Sequence, residues 1–195
     1  MVQETRIERI VKGLKDNRPQ LLRIVCSAND FQMALSALTF FLEEWDEDQK
    51  YTRVEIRKLK CYEAAWVVAF YRPFAKIGRS FTKTSRGVAL SRKTIGVKFN
   101  DEDSKIFKKI KEVRNKVVAH SNEDEMHFRI DPFDMQDNEI KFPQMTFDDG
   151  LLFDRNECFT IEDLLHRMIH GVFTVIWEYT QKFPDDITFY KKPNT

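Results

Sequence analysis

The stretch "DEDSKIFKKIKEVRNKVVAH", residues 101–120, begins with three acids and then repeats apolar residues at helical spacing. Ile106, Ile110, Val113 and Val117 advance by four and three, and His120 falls where the next inward residue is due. Asp101, Glu102 and Asp103 suit the partial positive charge of a helix N-terminus. The spacing predicts a helix with one apolar face. Arg114 stands beside that face and Asn115 follows it. On a straight helix the step from Arg114 to His120 is about 9 Å of rise and roughly 120° of rotation. One straight helix does not present both side chains to one phosphate. Either the helix ends near Ala119 and His120 swings out, or two copies meet across a dimer axis.

The same period recurs on both sides. Ile7, Ile10, Val11 and Leu14 predict a first amphipathic helix. Pro19 opens a second, short helical piece, since its missing N–H is not needed in a first turn. Asn29 or Asp30 is then expected to cap a third piece, striped by Phe31, Ala34, Leu35, Leu38, Phe41, Leu42 and Trp45. A long helix is expected over about 52–76, with Leu59, Tyr62, Glu63, Trp66, Phe70 and Phe74 inward and Pro73 at its end. The last helix carries Ile161, Leu164, Leu165, Met168, Val172, Val175, Ile176 and Tyr179. Thr160 with Asp163 resembles a capping box at its start, and Phe183–Pro184 stops it.

Two segments break the helical pattern. Residues 77–100 form a long Gly/Ser/Thr-rich basic connection, short of apolar anchors and expected to be mobile. Residues 126–147 switch to alternation, Met126, Phe128, Ile130 and later Ile140, Phe142, which predicts a β-hairpin or flap. The expected fold is all-α: one domain over 1–195, an antiparallel bundle of four to five main helices with a β insertion at about 126–147.

Composition agrees with that class. Hydrophobic residues make up 42% and charged residues 32%, enough for a core under well-solvated helices. The start of the chain is too charged for a signal peptide, and the longest apolar run, "AAWVVAFY" at 64–71, is far short of a span. A soluble cytoplasmic protein, with no membrane partner, is expected. Cys26, Cys61 and Cys158 lack metal-ligand spacing and read as reduced, mostly buried thiols. The net charge of +1 hides an asymmetry: residues 1–120 hold 25 Lys/Arg against 15 Asp/Glu, and residues 121–195 hold 7 against 16. Between 72 and 98 there are eight cations and no acid. Of these, Arg72, Lys76, Arg79, Lys83, Arg86, Arg92 and Lys93 are candidate RNA-phosphate contacts; an exposed loop that is merely basic is the other reading.

The motif "RNKVVAH", 114–120, resembles the HEPN superfamily, and most closely its abortive-infection-like branch. The family signature is Arg, four to six residues, then His, often with Asn or Asp after the Arg. The resemblance rests on seven residues and on the helical pattern around them. It implies an all-α bundle and in many members a metal-independent ribonuclease of toxin–antitoxin or abortive-infection type. It therefore implies no cofactor and no metal, RNA as substrate and an antitoxin protein as a partner; a homodimer is expected from the rotational offset between Arg114 and His120, which a composite site resolves. Arg114, Asn115 and His120 would be the catalytic set. A Tyr that some members carry two residues after the His has no counterpart, because Asn122 stands there.

The chemistry follows from the side chains. RNA carries its own nucleophile, the 2′-OH. A neutral His accepts that proton near neutral pH, and Arg stabilises the growing phosphate charge. Asn115 can orient the phosphate or the His. Glu63, on an apolar stripe, needs a partner; it either orients Arg114 or His120, or sits at the stripe's edge and reaches water or a lysine. Tyr71 and Arg72 can offer a platform and a phosphate contact, or simply end their helix. His166 and His170, with Glu162, have i, i+4 spacing but not the zincin order, and read as a solvated face. Three functions are consistent with these features: a ribonuclease, a non-catalytic HEPN-like module binding RNA, nucleotide or protein, and an interaction protein using the acidic half.

Overall fold

A computed structural model describes residues 5–75, 88–115, 128–135, 140–147 and 150–186; for 128–135 and 140–147 it describes the backbone. Among them are five α-helices: α1 Arg6–Lys15, α2 Arg18–Glu44, α3 Arg53–Tyr71, α4 Asp101–Val113 and α5 Arg155–Lys182. The described chain is mainly helical.

Local chemistry places the helix starts. Thr5 caps α1 with Glu8, Thr52 caps α3 with Glu55, Asn100 caps α4 with Asp103, and Asp154 caps α5 with Glu157, each as a reciprocal capping box. Asn17 caps α2, with Pro19 in the first turn. Pro73 follows α3 in a 3-10 turn, Arg72–Phe74.

Helix α2 runs unbroken from Arg18 to Glu44, so the expected cap at Asn29 or Asp30 is corrected. No Gly or Pro interrupts 20–44, and the polar residues find other partners. The Asp30 carboxylate accepts from Arg72 at 2.8 Å, and the Ser27 hydroxyl donates to the Arg23 carbonyl at 2.6 Å. The start of α5 is likewise corrected. Asp154 is the cap, and Thr160 lies a turn inside, donating to the Asn156 carbonyl.

Helices α2 and α5 organise the core. α2 packs on α3 and α5, α1 lies against α5 and α2, and α4 lies against α5 and α3. Ile24, Phe31, Leu38 and Phe41 meet Leu59, Trp66 and Phe70 from α3 and Ile161, Leu164, Leu165 and Met168 from α5, all fully buried or within 1% of it. Burying each large side chain contributes about 1.5–3 kcal/mol. By length and composition α2 is also apolar enough to cross a membrane, a test that a core helix passes as well. Strands β1 Phe128–Met135 and β2 Ile140–Phe147 pair antiparallel, Phe128 opposite Phe147 and Met135 opposite Ile140. Pro132 faces Pro143, so no N–H bond crosses that rung.

The connection before α4 departs from expectation over 88–100. Leu90 and Ile95 are 4% and 3% exposed and belong to the core. The Leu90 N–H donates to the Pro73 carbonyl at 2.8 Å, and the chain turns at Gly96, whose φ is +73°. Gly171 of α5 makes the packing fit: a Cβ there would stand 2.3 Å from the Ile95 carbonyl oxygen. Gly171→Ala is therefore expected to cost about 1–3 kcal/mol by forcing this turn off the helix, read as a lowered urea midpoint with increased proteolysis near 90–97. An unchanged midpoint would mean that the turn does not rest on α5.

A buried ion pair ties the same turn to α5. Asp103 is 1% exposed and accepts from Arg167 at 2.6 and 3.0 Å and from the Asn100 N–H at 2.9 Å. Burial works against its charge, but the Arg167 and Asn100 hydrogen bonds outweigh it and hold the carboxyl below its ordinary pKa. Arg167→Ala is expected to cost about 3 kcal/mol at pH 7 by leaving a buried carboxylate unpaired. Lowering the pH through the carboxylate range should shrink that cost, because the stranded Asp103 then takes a proton. A cost that stays constant down to pH 3 would contradict the pairing.

Candidate functional site

Arg114 stands where α4 ends. Its N–H donates to both the Ile110 and the Lys111 carbonyls, and the backbone widens into a π-helical turn over Arg114 and Asn115. Such turns interrupt the regular advance of side chains and are frequent at functional positions. Regular α-helical geometry thus extends to Val113 among the described residues. Arg114 is half-buried, and its Nη1 donates to Asn115 Oδ1 at 3.0 Å. A cation here also faces the partial negative charge of a helix C-terminus. Among the described residues Asn115 is the partner that orients the guanidinium. His120 lies outside the described residues.

Glu63 is 2% exposed. Its Oε1 accepts the N–H groups of Leu152, at 2.8 Å, and Phe153, at 3.1 Å. Among the described residues these are its hydrogen-bond partners; Arg114 instead bonds Asn115. Glu63 thus anchors the segment that leads into α5. Burial pushes its carboxyl up to about 7, against the two backbone hydrogen bonds and the weaker pull of Lys60 and Lys109. Nearby, Lys109 bonds Glu157 at 2.6 and 2.5 Å and lies 4.7 Å from the Phe153 ring centre. Phe153 packs edge-on against Trp66, whose buried indole Nε1 has no hydrogen-bond partner among the described residues. The Cys158 thiol, buried beside Glu63, Glu157 and Asp154, is pushed up to about 12 and is a poor nucleophile.

Two described cations of the basic segment, Arg72 and Arg92, have side-chain partners within the chain. Arg72 pairs with Asp30, and Arg23 donates to the carbonyls of Arg72, Pro73 and Ala75. Arg92 lies over the rings of Phe99, at 4.2 Å, and Phe107, at 5.5 Å. Phe107 joins Phe70, Tyr71 and Phe74 in one aromatic cluster, so Tyr71 is packing rather than a free platform. The Lys93 carbonyl accepts from Arg6 at 3.0 Å while its own side chain is exposed. Lys76, Arg79, Lys83 and Arg86 lie outside the described residues. Arg23 and Arg167 were not singled out from sequence, because their partners lie far along the chain.

Two other features carry no catalytic set. His166 and His170 are exposed, and among the described residues no group of three His, Cys, Asp or Glu side chains is placed to hold a metal. A cleft of about 320 Å³ lies between the 94–98 turn and α5, with Ile7, Ile95 and Val175 among its walls and Lys98 and His170 at its edge. Arg114, Asn115 and Glu63 do not line it. The thiols depart from expectation: Cys26 and Cys61 are exposed, Cys158 is buried, and all three are free. No family model, no curated protein and no solved structure matches this chain.

Proposed function

We propose that this chain is a HEPN-like, metal-independent endoribonuclease whose site is the Arg114 end of α4 together with His120. The observation that supports this reading is the arrangement at that end: a half-buried Arg114, oriented by Asn115 at 3.0 Å, in a widened turn six residues before a histidine. In this reading His120 takes the proton from the 2′-OH, and O2′ attacks the neighbouring phosphorus. The bond to the 5′-oxygen breaks, leaving a 2′,3′-cyclic phosphate and a 5′-OH. Arg114 neutralises the non-bridging oxygens as charge grows on them. The departing oxygen needs a proton, and a second copy of the site across a two-fold axis supplies it from its own imidazolium. The reading therefore includes a homodimer, an antiparallel helical bundle with residues 126–147 as an insertion, and an antitoxin as partner. Cleavage of RNA in EDTA, with a cyclic phosphate on the product, is the test.

A second reading is favoured by different observations. Arg72 and Arg92 are engaged by Asp30 and by the Phe99 and Phe107 rings, and Glu63 serves the backbone of 152–153. A non-catalytic module that binds RNA, nucleotide or protein requires no oriented carboxylate. It predicts binding without cleavage.

A further inference from the structure

Two glycines build the cleft between the 94–98 turn and α5. Gly96, at φ +73°, turns the chain, and the bare Gly171 lets the Ile95 carbonyl come down onto α5. Ile7, Ile95, Val97 and Val175 give the cleft aliphatic walls. Its volume, about 320 Å³, is at the small end for ligand sites. The described residues that line it include no aromatic ring other than His170 and no acid.

The polar groups left unspent select the ligand. The N–H groups of Thr94, Gly96 and Val97 donate to the Ser91, Lys93 and Arg92 carbonyls, at 2.9, 3.4 and 3.2 Å. No two neighbouring N–H groups over 94–98 are therefore left to cradle a phosphate. The Arg167 guanidinium is held by Asp103, Asp163 and the Lys98 carbonyl. The Thr174 hydroxyl donates to the His170 carbonyl at 2.8 Å. Lys98 and His170 line the cleft and are exposed, and neither side chain has a partner among the described residues. The turn itself, residues 91–98, carries Arg92, Lys93 and Lys98 and no acid.

We propose that this cleft binds an aliphatic monocarboxylate, its chain along Ile7, Ile95, Val97 and Val175, its carboxylate at the Lys98 ammonium and His170 beside it. One ammonium at the edge of an aliphatic cleft matches a single negative charge on an apolar chain. A phosphate calls for forked or clustered donors, which are spent here. A nucleobase gains most from a broad aromatic ring to stack on, and the walls are aliphatic. Arg114, Asn115 and Glu63 do not line the cleft, so the proposal is independent of the ribonuclease reading. Titrating octanoate into the full chain, with its Ile and Val methyl groups labelled for NMR, tests it. Saturable shifts are expected at Ile7, Ile95, Val97 and Val175, with a Kd of about 1 mM or tighter. Octanamide, uncharged and of the same shape, should bind more weakly. Each methylene removed from the acid should weaken binding by up to about fourfold. Lys98→Met keeps the apolar stem without the charge and is expected to weaken octanoate about fivefold while leaving octanamide unchanged. Thr174→Phe, at a half-buried lining position, should abolish binding of both by filling the cleft, with melting unchanged. The proposal would be overturned by the absence of saturable shifts, by equal binding of octanoate and octanamide, or by tighter binding of adenosine monophosphate. Octanoate binding that survives Lys98→Met undiminished, or a folded Thr174→Phe protein that still binds, would overturn it as well.

Discussion

Arg114→Ala and His120→Gln are each expected to slow RNA cleavage by at least about 100-fold while leaving the thermal transition within a few degrees of wild type. The magnitude follows from the roles. Positioned general bases contribute about 10²–10⁴-fold, and one charge-stabilising donor about 10²–10³-fold. Arg114 is half-buried rather than fully buried, and among the described residues its side-chain hydrogen bond is to Asn115. Gln is chosen at 120 because it keeps size and polarity on the apolar seam. Charge reversal at Lys76, Arg79, Lys83 and Arg86 should act differently, weakening RNA affinity and flattening its dependence on salt. Arg92 should fall outside that second class, because its guanidinium is stacked on Phe99 and Phe107 and its loss also removes packing. Cleavage that persists in both the Arg114 and His120 variants, with melting unchanged, would make the motif an ordinary helix end.

Wild-type stability is expected to fall as pH rises from about 4.5 to about 7, and Glu63→Gln should remove that fall. The carboxyl's pKa is raised from an ordinary 4.5 to about 7 in the fold. The folded state then holds a proton that the unfolded state has released, so unfolding gains on folding throughout that window. The slope from one group reaches about 1.4 kcal/mol per pH unit, or roughly 3 kcal/mol across the window. Gln keeps an oxygen to accept from Leu152 and Phe153 and does not ionise. The stability difference, Glu63→Gln minus wild type, should therefore grow across this interval and level off above it. Glu63→Leu is the complementary test: it leaves the Leu152 and Phe153 N–H groups without their acceptor and should cost about 2–4 kcal/mol near pH 4.5, a cost that shrinks as the pH rises to 7 because wild type alone loses stability there. A difference between Gln and wild type that is flat with pH would contradict the buried carboxylate.

Helices whose apolar residues keep a regular period were legible in the sequence. Ile106, Ile110 and Val113 marked α4, and Ile161 to Tyr179 marked α5, because burial on one face forces that spacing. What local windows hid were partners far along the chain. Asp30 looked like a cap because its carboxylate is usually spent on nearby N–H groups; here Arg72, at the other end of α3, takes it. Glu63 was recognisable as a carboxylate needing a partner, but that partner is backbone 89 residues away. Leu90 and Ile95 were lost among Gly, Ser, Thr and Lys, and the close approach that buries Ile95 depends on the missing side chain of Gly171. Thr160 and Asp154 both begin a capping pattern, and the earlier one wins, since it adds turns to the helix. Of the candidate site, Arg114 and Asn115 are placed side by side, as their adjacency on one helix requires. The rest of the motif, including His120, lies outside the described residues.

The most direct measurement is the 3′ end of the RNA left after incubating purified wild-type protein with RNA in EDTA, beside the His120→Gln protein prepared identically. Wild type is expected to leave fragments ending in 2′,3′-cyclic phosphate, and the variant intact RNA. Intact RNA in both, or the same fragments from both, would contradict it.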